Sequence, residues 1–306
     1  MGSDKASWEL EEGDEIVPGR SALKRLGGGY RYEAYLAWDA HLHSLIVAKV
    51  VRPDQVEDEK ALKELRKEAE ALDRFAHPVL VRGFGAVLDG PRPHLVLEHL
   101  EGPTLRRLLK KFGPLPLEQL LPLGLHVSSA LHYLHEEGIV HLDVKPGNIV
   151  MGAPPRLIDM SIWRTQESAQ RSSGGMGTRL YMAPEQCDPK TWGEIGPPAD
   201  VWGIGVTLFE ALTGKRPFSQ SKLKDELTSD PEEIAEDSPL RKYPQLTQDP
   251  APFPKNTPVA LAEVILGTLS MKQDERPTAA ELAEFLEEPT ARVPRPTLRR
   301  RRPKIL

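Results

Sequence analysis

The most constraining feature of the sequence is a change of pattern near Leu100. Residues 16–100 contain short apolar runs rich in β-branched residues, whereas the residues that follow contain long segments with helical periodicity. Strands grouped in the first part of a chain and helices in the second are typical of an α+β fold. With 306 residues, 39% of them hydrophobic, the chain is long enough for two modest domains or one large unit with two lobes.

Three helices stand out in this pattern. The first interrupts the β-like runs, and its apolar residues recur at intervals of three and four: Leu62, Leu65, Ala69, Leu72 and Ala76. The second, in LPLEQLLPLGLHVSSALHYLHEEG, is predicted to end at a capping Gly138. The third, in DVWGIGVTLFEALTG, is predicted to end at Gly214. Because this third segment is apolar nearly all round, we expect a helix buried through the middle of a domain.

Cysteine usage and hydropathy indicate the compartment. The chain contains a single cysteine, Cys187, which excludes an intramolecular disulfide. The N-terminus lacks the charged and then apolar pattern of a secretory signal, and no run of 18 or more apolar residues is present. We therefore expect a cytoplasmic protein, or the cytosolic part of a membrane-anchored one, with no membrane span in this chain and no nucleic-acid partner.

Both ends of the chain differ in composition from its centre. Residues 1–15 are polar and acidic, and we expect them to form a lead-in. The last eighteen residues, 289–306, contain seven arginines and lysines and no acid, with prolines throughout. Such a segment cannot pack a core, so a disordered, solvated tail is predicted. A juxtamembrane segment that attracts acidic lipid at a membrane surface is the alternative interpretation.

A glycine cluster and a lysine predict an anion site in the strand-rich part. The cluster in LGGGYRYEAYL, residues 26–36, lets backbone N–H groups approach a phosphate, although the same glycines also suit an ordinary hairpin turn. Lys49 lies in the apolar run IVAKVV, where a buried ammonium requires an anionic partner. Glu68 on the predicted helix is a candidate for that partner. A solvated helix charge is an equally good interpretation of Glu68.

A polar loop in the middle of the chain has the pattern of a reaction centre. The segment VHLDVKPGNIV places Asp143, Lys145 and Asn148 between apolar residues that read as two buried ends. Functional side chains are often carried on a loop that a rigid scaffold holds in place.

Taken together, these motifs resemble those of protein kinases, and among them the eukaryotic-like (Hanks-type) Ser/Thr kinases of bacteria. The resemblance covers residues 23–286, and its motifs occur in the order of the family: LGGGYRYEAYLA, VAK, HLVLEHLEGPTL, HLDVKPGNIV, RLIDMS, YMAPE, DVWGIGV and DERPT. It implies a bilobal protein-kinase-like fold. A small antiparallel β-sheet lobe with one helix would occupy residues 16–100, and a larger, mainly helical lobe would occupy residues 101–288.

The resemblance implies that the protein transfers the γ-phosphoryl group of ATP, with Mg²⁺ or Mn²⁺, to Ser/Thr hydroxyls of protein substrates. It assigns catalytic roles to six residues: Lys49, Glu68, Asp143, Lys145, Asn148 and Asp159. Asp143 would accept the substrate hydroxyl proton, and Lys145 would neutralise charge on the moving phosphoryl group. Asn148 and Asp159 would hold the metal. Lys49 would bind the α- and β-phosphates, with Glu68 fixing its ammonium.

The resemblance also implies a nucleotide site, formed by Leu26, Gly27, Gly28, Gly29, Ala34, Ala48, Lys49, Leu97, Glu98, Leu100 and Val150. Ala34, Ala48 and Val150 would sandwich the adenine ring. The backbone at Glu98 and Leu100 would bond its edge, and Leu97 would be the gatekeeper.

Two further pairings would be structural rather than catalytic. Glu185 would pair with Arg276 to brace the activation segment, residues 159–185, and Asp200 would bond the backbone near His141.

Several residues depart from the family pattern. Leu142 stands where many kinases have an arginine that receives an activation-segment phosphate, which suggests activity less dependent on such phosphorylation. Met160 and Ser161 follow the metal-binding aspartate in place of phenylalanine and glycine, and methionine can fill the same apolar gap. Tyr32 replaces the third glycine of the phosphate loop, which predicts looser ATP binding. Gly83 lies where an apolar residue is expected, and we expect the adjacent Phe84 to compensate.

These departures support an alternative hypothesis, a pseudokinase that serves as a nucleotide-binding scaffold or signalling module. The six polar residues with assigned catalytic roles favour an active kinase that also phosphorylates itself. A homodimer formed through the kinase lobes is a further expected partner.

Overall fold

A six-stranded antiparallel sheet forms the first lobe of the computed structural model, which describes residues 6–219 and 238–292. Its strands are β1 (Glu15–Val17), β2 (Arg20–Gly28), β3 (Tyr32–Asp39), β4 (Ser44–Val51), β5 (Gly83–Val87) and β6 (His94–Glu98). Their spatial order is β1-β2-β3-β4-β6-β5. The sheet therefore places β4, which carries Lys49, between β3 and β6.

The helix of this lobe, α1 (Glu59–Arg74), lies between β4 and β5 in the chain. It begins after Asp58, whose side chain accepts a hydrogen bond from the Lys60 N–H and so caps the first turn. The predicted periodicity finds the helix, although Ala76 lies beyond its end. Glu68 is buried together with Leu65, so the solvated-charge interpretation of Glu68 is wrong.

The N-terminal segment packs on the sheet. Trp8 and Leu10 contact the hydrophobic core of this lobe, and the Trp8 indole N–H donates to the Val51 carbonyl at 2.7 Å. Residues 6–10 are thus part of the lobe and more than a polar lead-in, because the indole and the leucine supply apolar surface that the sheet buries. Residues 1–5 of the predicted lead-in lie outside the described residues.

The second lobe is mainly helical. Its helices are α2 (Leu105–Phe112), α3 (Leu117–Glu136), α4 (Gln166–Gln170), α5 (Pro184–Cys187), α6 (Pro189–Trp192), α7 (Pro197–Thr213), α8 (Pro239–Lys242), α9 (Val259–Thr268) and α10 (Ala279–Ala291). Two short antiparallel pairs join β7 (Ile139–Val140) to β10 (Arg164–Thr165) and β8 (Ile149–Val150) to β9 (Arg156–Leu157). Short 3-10 turns cover Pro146–Asn148, Pro244–Leu246 and Gln273–Glu275 in this lobe. A further 3-10 turn, Pro53–Gln55, lies between β4 and α1 in the first lobe.

Helix α7 passes through the core of this lobe, as its all-round apolar sequence predicts. Trp202 and Phe209 on this helix are among the largest fully buried side chains of the described residues. Gly214 ends α7 in the left-handed conformation, with φ of 74°, and its N–H donates to the Glu210 carbonyl. Gly138 follows α3 with φ of 72°, so both predicted helix ends are confirmed.

The prediction about the C-terminal end of the chain is only partly covered by the described residues. Helix α10 continues to Ala291, which lies within the predicted tail 289–306, whereas residues 293–306 lie outside the described residues. Residues 220–237 also lie outside them. Within residues 6–219 and 238–292, no helix has the length and apolarity needed to cross a membrane.

Candidate active site

A cavity of about 810 Å³ lies between the sheet and the helical lobe, and residues of both lobes line it. Thirteen of the predicted site residues line the cavity: Leu26, Gly27, Gly28, Gly29, Ala34, Lys49, Glu68, Leu97, Glu98, Leu100, Asn148, Val150 and Asp159. A cleft of this size, with apolar walls and a few convergent charged groups, has the character of a small-molecule site.

The structure does not bring Ala48 to this cavity. Ala48 is fully buried and packs in the core of the first lobe with Tyr35 and Ala37. Successive side chains of a strand point to opposite faces, so residues on the cavity face of β4 share the parity of Lys49. Val47, two residues before Lys49, lines the cavity instead. Because Val47 lies two residues before Lys49 on the same strand, its position in the cavity could have been predicted from the sequence.

A three-membered ion cluster lies inside the cavity. The Lys49 ammonium lies 2.7 Å from Glu68 Oε2 and 2.9 Å from Asp159 Oδ1. Burial by itself would lower the pKa of Lys49, but the Asp159 and Glu68 carboxylates outweigh that effect and raise it. Burial would likewise raise the pKa of Asp159, but the Lys49 ammonium lowers it well below its usual range. Both groups are therefore charged at neutral pH.

Glu68 is the most deeply buried member of the cluster, with its side chain 2% exposed. Its carboxylate accepts hydrogen bonds from the Lys49 ammonium through both oxygens and from the Met160 backbone N–H. Burial raises the pKa of Glu68, and Lys49 opposes that shift. The ionised carboxylate therefore depends on its lysine partner, because an unpaired buried charge is costly.

Met160 and Ser161, the two residues after Asp159 that depart from the family pattern, fit the local structure. Asp159 has a left-handed backbone, with φ of 73°, which aspartate tolerates better than most residues. Its Oδ1 accepts a hydrogen bond from the Ser161 N–H at 3.3 Å. Met160 is buried in the core of the helical lobe, so methionine fills the apolar position as predicted. The Ser161 backbone does not have a positive φ, so a glycine is not required at this position.

The polar residues of the loop 140–150 converge on one carboxylate. Asp143 Oδ1 accepts hydrogen bonds from the Thr178 N–H at 2.9 Å and from the Thr178 hydroxyl at 2.7 Å. Lys145 Nζ donates to Asp143 Oδ2 and, at 2.6 Å, to Thr178 Oγ1. Thr178 thus connects the activation segment to both charged residues of the loop.

Asn148 completes this group and presents an oxygen. Its Nδ2 donates to the Asp143 carbonyl at 3.0 Å and to Asp143 Oδ2 at 3.1 Å, so its amide oxygen remains to act as an acceptor. An amide oxygen and the ionised Asp159 carboxylate are hard ligands, which suit Mg²⁺ or Mn²⁺ when substrate phosphates supply further oxygens. The donor set therefore fits the metal that the sequence resemblance implies.

Buried polar contacts stabilise the loop 140–150 and the activation segment. Asp200 accepts hydrogen bonds from the backbone N–H of His141 at 2.8 Å and of Leu142 at 2.7 Å, as the sequence predicts. Leu142, in the position of the missing arginine, is buried and has φ of 69°. The predicted pair also forms: the Arg276 guanidinium lies 2.7 Å from Glu185 Oε1 and 2.9 Å from Glu185 Oε2.

The prediction for Gly83 is wrong. Phe84 is 49% exposed, so it does not compensate for the missing side chain. Leu72 of α1 fills the space instead, because a Cβ at Gly83 would lie 2.8 Å from the Leu72 Cβ. The glycine therefore allows α1 to pack closely against β5.

Tyr32 makes contacts that a glycine cannot make. Its hydroxyl donates to the Ala61 carbonyl on α1 at 2.8 Å, and its ring centroid lies 5.0 Å from the Lys49 ammonium. The contact links the segment that contains the glycine cluster, residues 26–36, to α1. The pattern of the sequence did not indicate this link, because it depends on the position of α1 in space.

Comparison with known proteins agrees with this geometry. Residues 20–285 match the protein kinase domain family. The serine/threonine-protein kinase PknB of Mycobacterium leprae is 31% identical over 270 residues, which are 84% of this chain and 40% of that protein. The PknB of Mycolicibacterium smegmatis is 31% identical over 273 residues, with the same two shares. The PknL of Mycobacterium tuberculosis is 34% identical over 199 residues, 64% of this chain and 49% of that protein. The chain thus spans less than half the length of these curated relatives, and with its kinase domain it belongs to the protein kinase family.

Proposed function

We propose that this chain is an ATP-dependent serine/threonine protein kinase that transfers the γ-phosphoryl group to Ser/Thr hydroxyls of proteins, including its own. The observation that carries the proposal is the simultaneous assembly of two charged groups of residues. Lys49 contacts Glu68 and Asp159 in the cavity, while Asp143 and Lys145 both contact Thr178. Phosphoryl transfer depends on positioning and charge neutralisation, and these contacts supply both.

Asp143 is the group that takes the acceptor proton in this proposal. The Thr178 contacts and the Lys145 ammonium fix both carboxylate oxygens in direction, so a substrate hydroxyl meets a base of defined orientation. Lys145 lies beside it and neutralises negative charge on the phosphoryl group as it moves. In this proposal Thr178 holds the two side chains in their relative position.

The nucleotide lies in the cavity with its adenine between the apolar walls. Val47 takes the place that the sequence suggested for Ala48, beside Ala34 and Val150. Lys49 binds the α- and β-phosphates. Asn148 and Asp159 would hold the metal, which supplies charge neutralisation between the phosphates when it is bound.

The expected partners are ATP, Mg²⁺ or Mn²⁺, and proteins with Ser/Thr acceptors. A cytoplasmic location, or a membrane-anchored protein with its kinase domain in the cytosol, is part of the same proposal. The predicted homodimer and the predicted membrane contact of the basic tail remain predictions.

Intact-mass spectrometry tests the proposed function. The purified protein is incubated with Mg²⁺ and ATP beside the variant Asp143→Asn and a generic basic acceptor protein. We expect added masses of phosphate on the wild-type protein or the acceptor, and none with the variant. ATP binding without any transfer to either protein would contradict the proposal and favour the pseudokinase hypothesis.

Thr178 provides a second test, through its hydroxyl. Thr178→Ala is expected to lower kcat about 10-fold, because one hydrogen bond to a charged group is lost on each of Asp143 and Lys145. Thr178→Ser retains the hydroxyl and serves as the matched control, with kcat close to that of the wild type. Steady-state kinetics at varied ATP and acceptor concentrations measure both variants. Equal losses in Thr178→Ala and Thr178→Ser would show that the hydroxyl is not the important group.

The buried Leu142 predicts activity without activation-segment phosphate. A leucine offers no cation to pair with a phosphate, so removal of phosphate should have little effect on the assembled site. We expect phosphatase-treated protein to retain an initial rate within about threefold of the untreated rate, since no phosphate-pairing contact is lost at this position. The rate is measured over the first turnovers with the generic basic acceptor protein. Loss of transfer after phosphatase treatment would contradict this prediction.

A further inference from the structure

Trp163 occupies a buried position four residues after the metal-binding Asp159. Its side chain is 7% exposed and lies in the main hydrophobic core of the helical lobe. The ring makes a T-shaped contact with Phe75 at the end of α1, with centroids 5.8 Å apart and planes at 82°. Trp163 therefore lies where the activation segment and α1 meet.

Lys67 on α1 forms a reciprocal contact with this tryptophan. The Lys67 ammonium donates to the Trp163 carbonyl at 2.7 Å and lies 4.4 Å from the centroid of the indole ring. In return, the indole N–H donates to the Lys67 carbonyl at 3.2 Å. Three different interactions thus join the same two residues across 96 positions of sequence.

The contact lies beside the ion cluster of the active site. Lys67 directly precedes Glu68, and neighbouring side chains of a helix point about 100° apart around its axis. Glu68 contacts Lys49 and the Met160 N–H, while Lys67 contacts Trp163. One contact alone would let α1 rotate about it, whereas two in different directions fix the rotation of the helix.

We propose that Trp163 and Lys67 are positioning residues that hold α1, and through it Glu68 and Lys49, in the arrangement for phosphoryl transfer without a phosphate on the activation segment. The proposal rests on the proposed function, because its kinetic consequence requires a transfer reaction. An arginine at position 142 could pair with an activation-segment phosphate, but Leu142 cannot. In our proposal the Lys67 and Trp163 contact stabilises the site instead. We refer to this contact as the Lys67–Trp163 brace.

The electrostatics of Lys67 support a specific role for its ammonium. Partial burial, with the Arg164 guanidinium nearby, lowers the pKa of Lys67 to about 8. Arg164 itself donates to the carbonyls of Ile162 at 3.1 Å and Trp163 at 2.9 Å. A partly buried lysine held close to another cation needs compensation, which the indole face and the Trp163 carbonyl provide.

The first experiment compares two lysine variants of the same helix. Lys67→Met removes the ammonium and keeps the length of the side chain, whereas Lys63→Met makes the same change at an exposed position one turn earlier. We expect Lys67→Met to raise KM for ATP and to lower kcat, with kcat/KM about 10-fold lower because a partly desolvated cation–π contact and a hydrogen bond are lost. Lys63→Met should match the wild type. Lys67→Arg retains a cation and donors and is expected to restore most of the activity.

Hydrogen–deuterium exchange gives a readout that does not depend on activity. Exchange of residues 59–74 should become faster in Lys67→Met and Trp163→Leu, while exchange of the buried α7 stays unchanged. Trp163→Leu creates a cavity and can reduce overall stability, so Lys67→Met, which keeps the apolar volume, is the deciding variant.

The outcomes separate the brace from the proposed function. If Lys67→Met and Lys63→Met have the same kinetic constants and the same exchange in residues 59–74, the proposal that the Lys67–Trp163 brace positions α1 is wrong. If the wild-type protein transfers no phosphate under any condition, the proposed function fails. In that case the exchange of residues 59–74 and the affinity for Mg²⁺-free ADP still decide whether Lys67 holds α1 in place.

Discussion

Asp143→Asn is expected to lower the rate of phosphoryl transfer by about 10³-fold, in the range typical of a lost general base. Asparagine has the same shape as aspartate, and its amide oxygen can still accept hydrogen bonds from Thr178 or Lys145. It cannot take a proton from the acceptor hydroxyl. The expected defect is therefore mainly in the chemical step, because the amide oxygen keeps the contacts of one carboxylate oxygen and the side chain does not line the cavity.

Single-turnover transfer to an acceptor protein measures the chemical step, and titration with magnesium and ADP measures nucleotide affinity. Nucleotide affinity should stay within about twofold of the wild type, since Asp143 does not line the cavity and its loss removes no direct nucleotide contact. Asp249→Asn, the same change at an exposed aspartate, is the matched control. A loss of transfer in Asp143→Asn of less than about tenfold would contradict the role of general base.

The sequence was sufficient for the order of the elements and for the charged residues of the site. Asp143, Lys145 and Asn148 lie on one loop, so their proximity follows from their spacing along the chain. Lys49 lies in an apolar strand, and the cost of a buried ammonium required an anion near it. These arguments use local sequence and elementary energetics, and the structure brings the predicted partner, Glu68, to the lysine. The contact between Lys49 and Asp159 was not predicted.

Predictions that depended on the direction in which a side chain points were less successful. Ala48 was assigned to the adenine site although Val47 has the parity of Lys49 in the strand. Phe84 was expected to fill the space at Gly83, but Leu72 reaches it from α1, on a different element. In each case the deciding quantity was the direction of a side chain relative to a neighbouring element. A pattern of residue types does not contain that direction.

The Lys67–Trp163 brace illustrates the same limit for long-range contacts. In the sequence, Lys67 is one of several charges on an amphipathic helix, and Trp163 is an apolar residue in the segment that follows RLIDMS. Neither has a pattern that predicts the other, because 96 positions separate them and only the fold brings them together. In our proposal, the position of Glu68 therefore depends on two residues that do not line the cavity.

The second large expected effect is on stability, from the buried pair that joins the activation segment to the helical lobe. Arg276→Met is expected to lower the free energy of unfolding by about 3–5 kcal/mol, because it leaves the buried Glu185 carboxylate without its partner. Both side chains have 0% exposure, and two hydrogen bonds join the guanidinium to the two carboxylate oxygens. Methionine supplies apolar volume but no donor, so the carboxylate loses its counter-charge and both bonds.

Urea unfolding, followed by circular dichroism, measures this change through the midpoint and the slope of the transition. The matched control is Arg171→Met, which breaks an ion pair with Glu167 in which both side chains are more than 70% exposed. That change is expected to cost less than about 1 kcal/mol, since exposed pairs are solvated and screened. The double variant Glu185→Leu/Arg276→Met removes both charges together and should be more stable than Arg276→Met, because no buried charge is left unpaired. Equal costs for Arg276→Met and Arg171→Met would mean that the activation segment is held mainly by its apolar contacts. A double variant less stable than Arg276→Met would instead place the cost in the packing around Glu185.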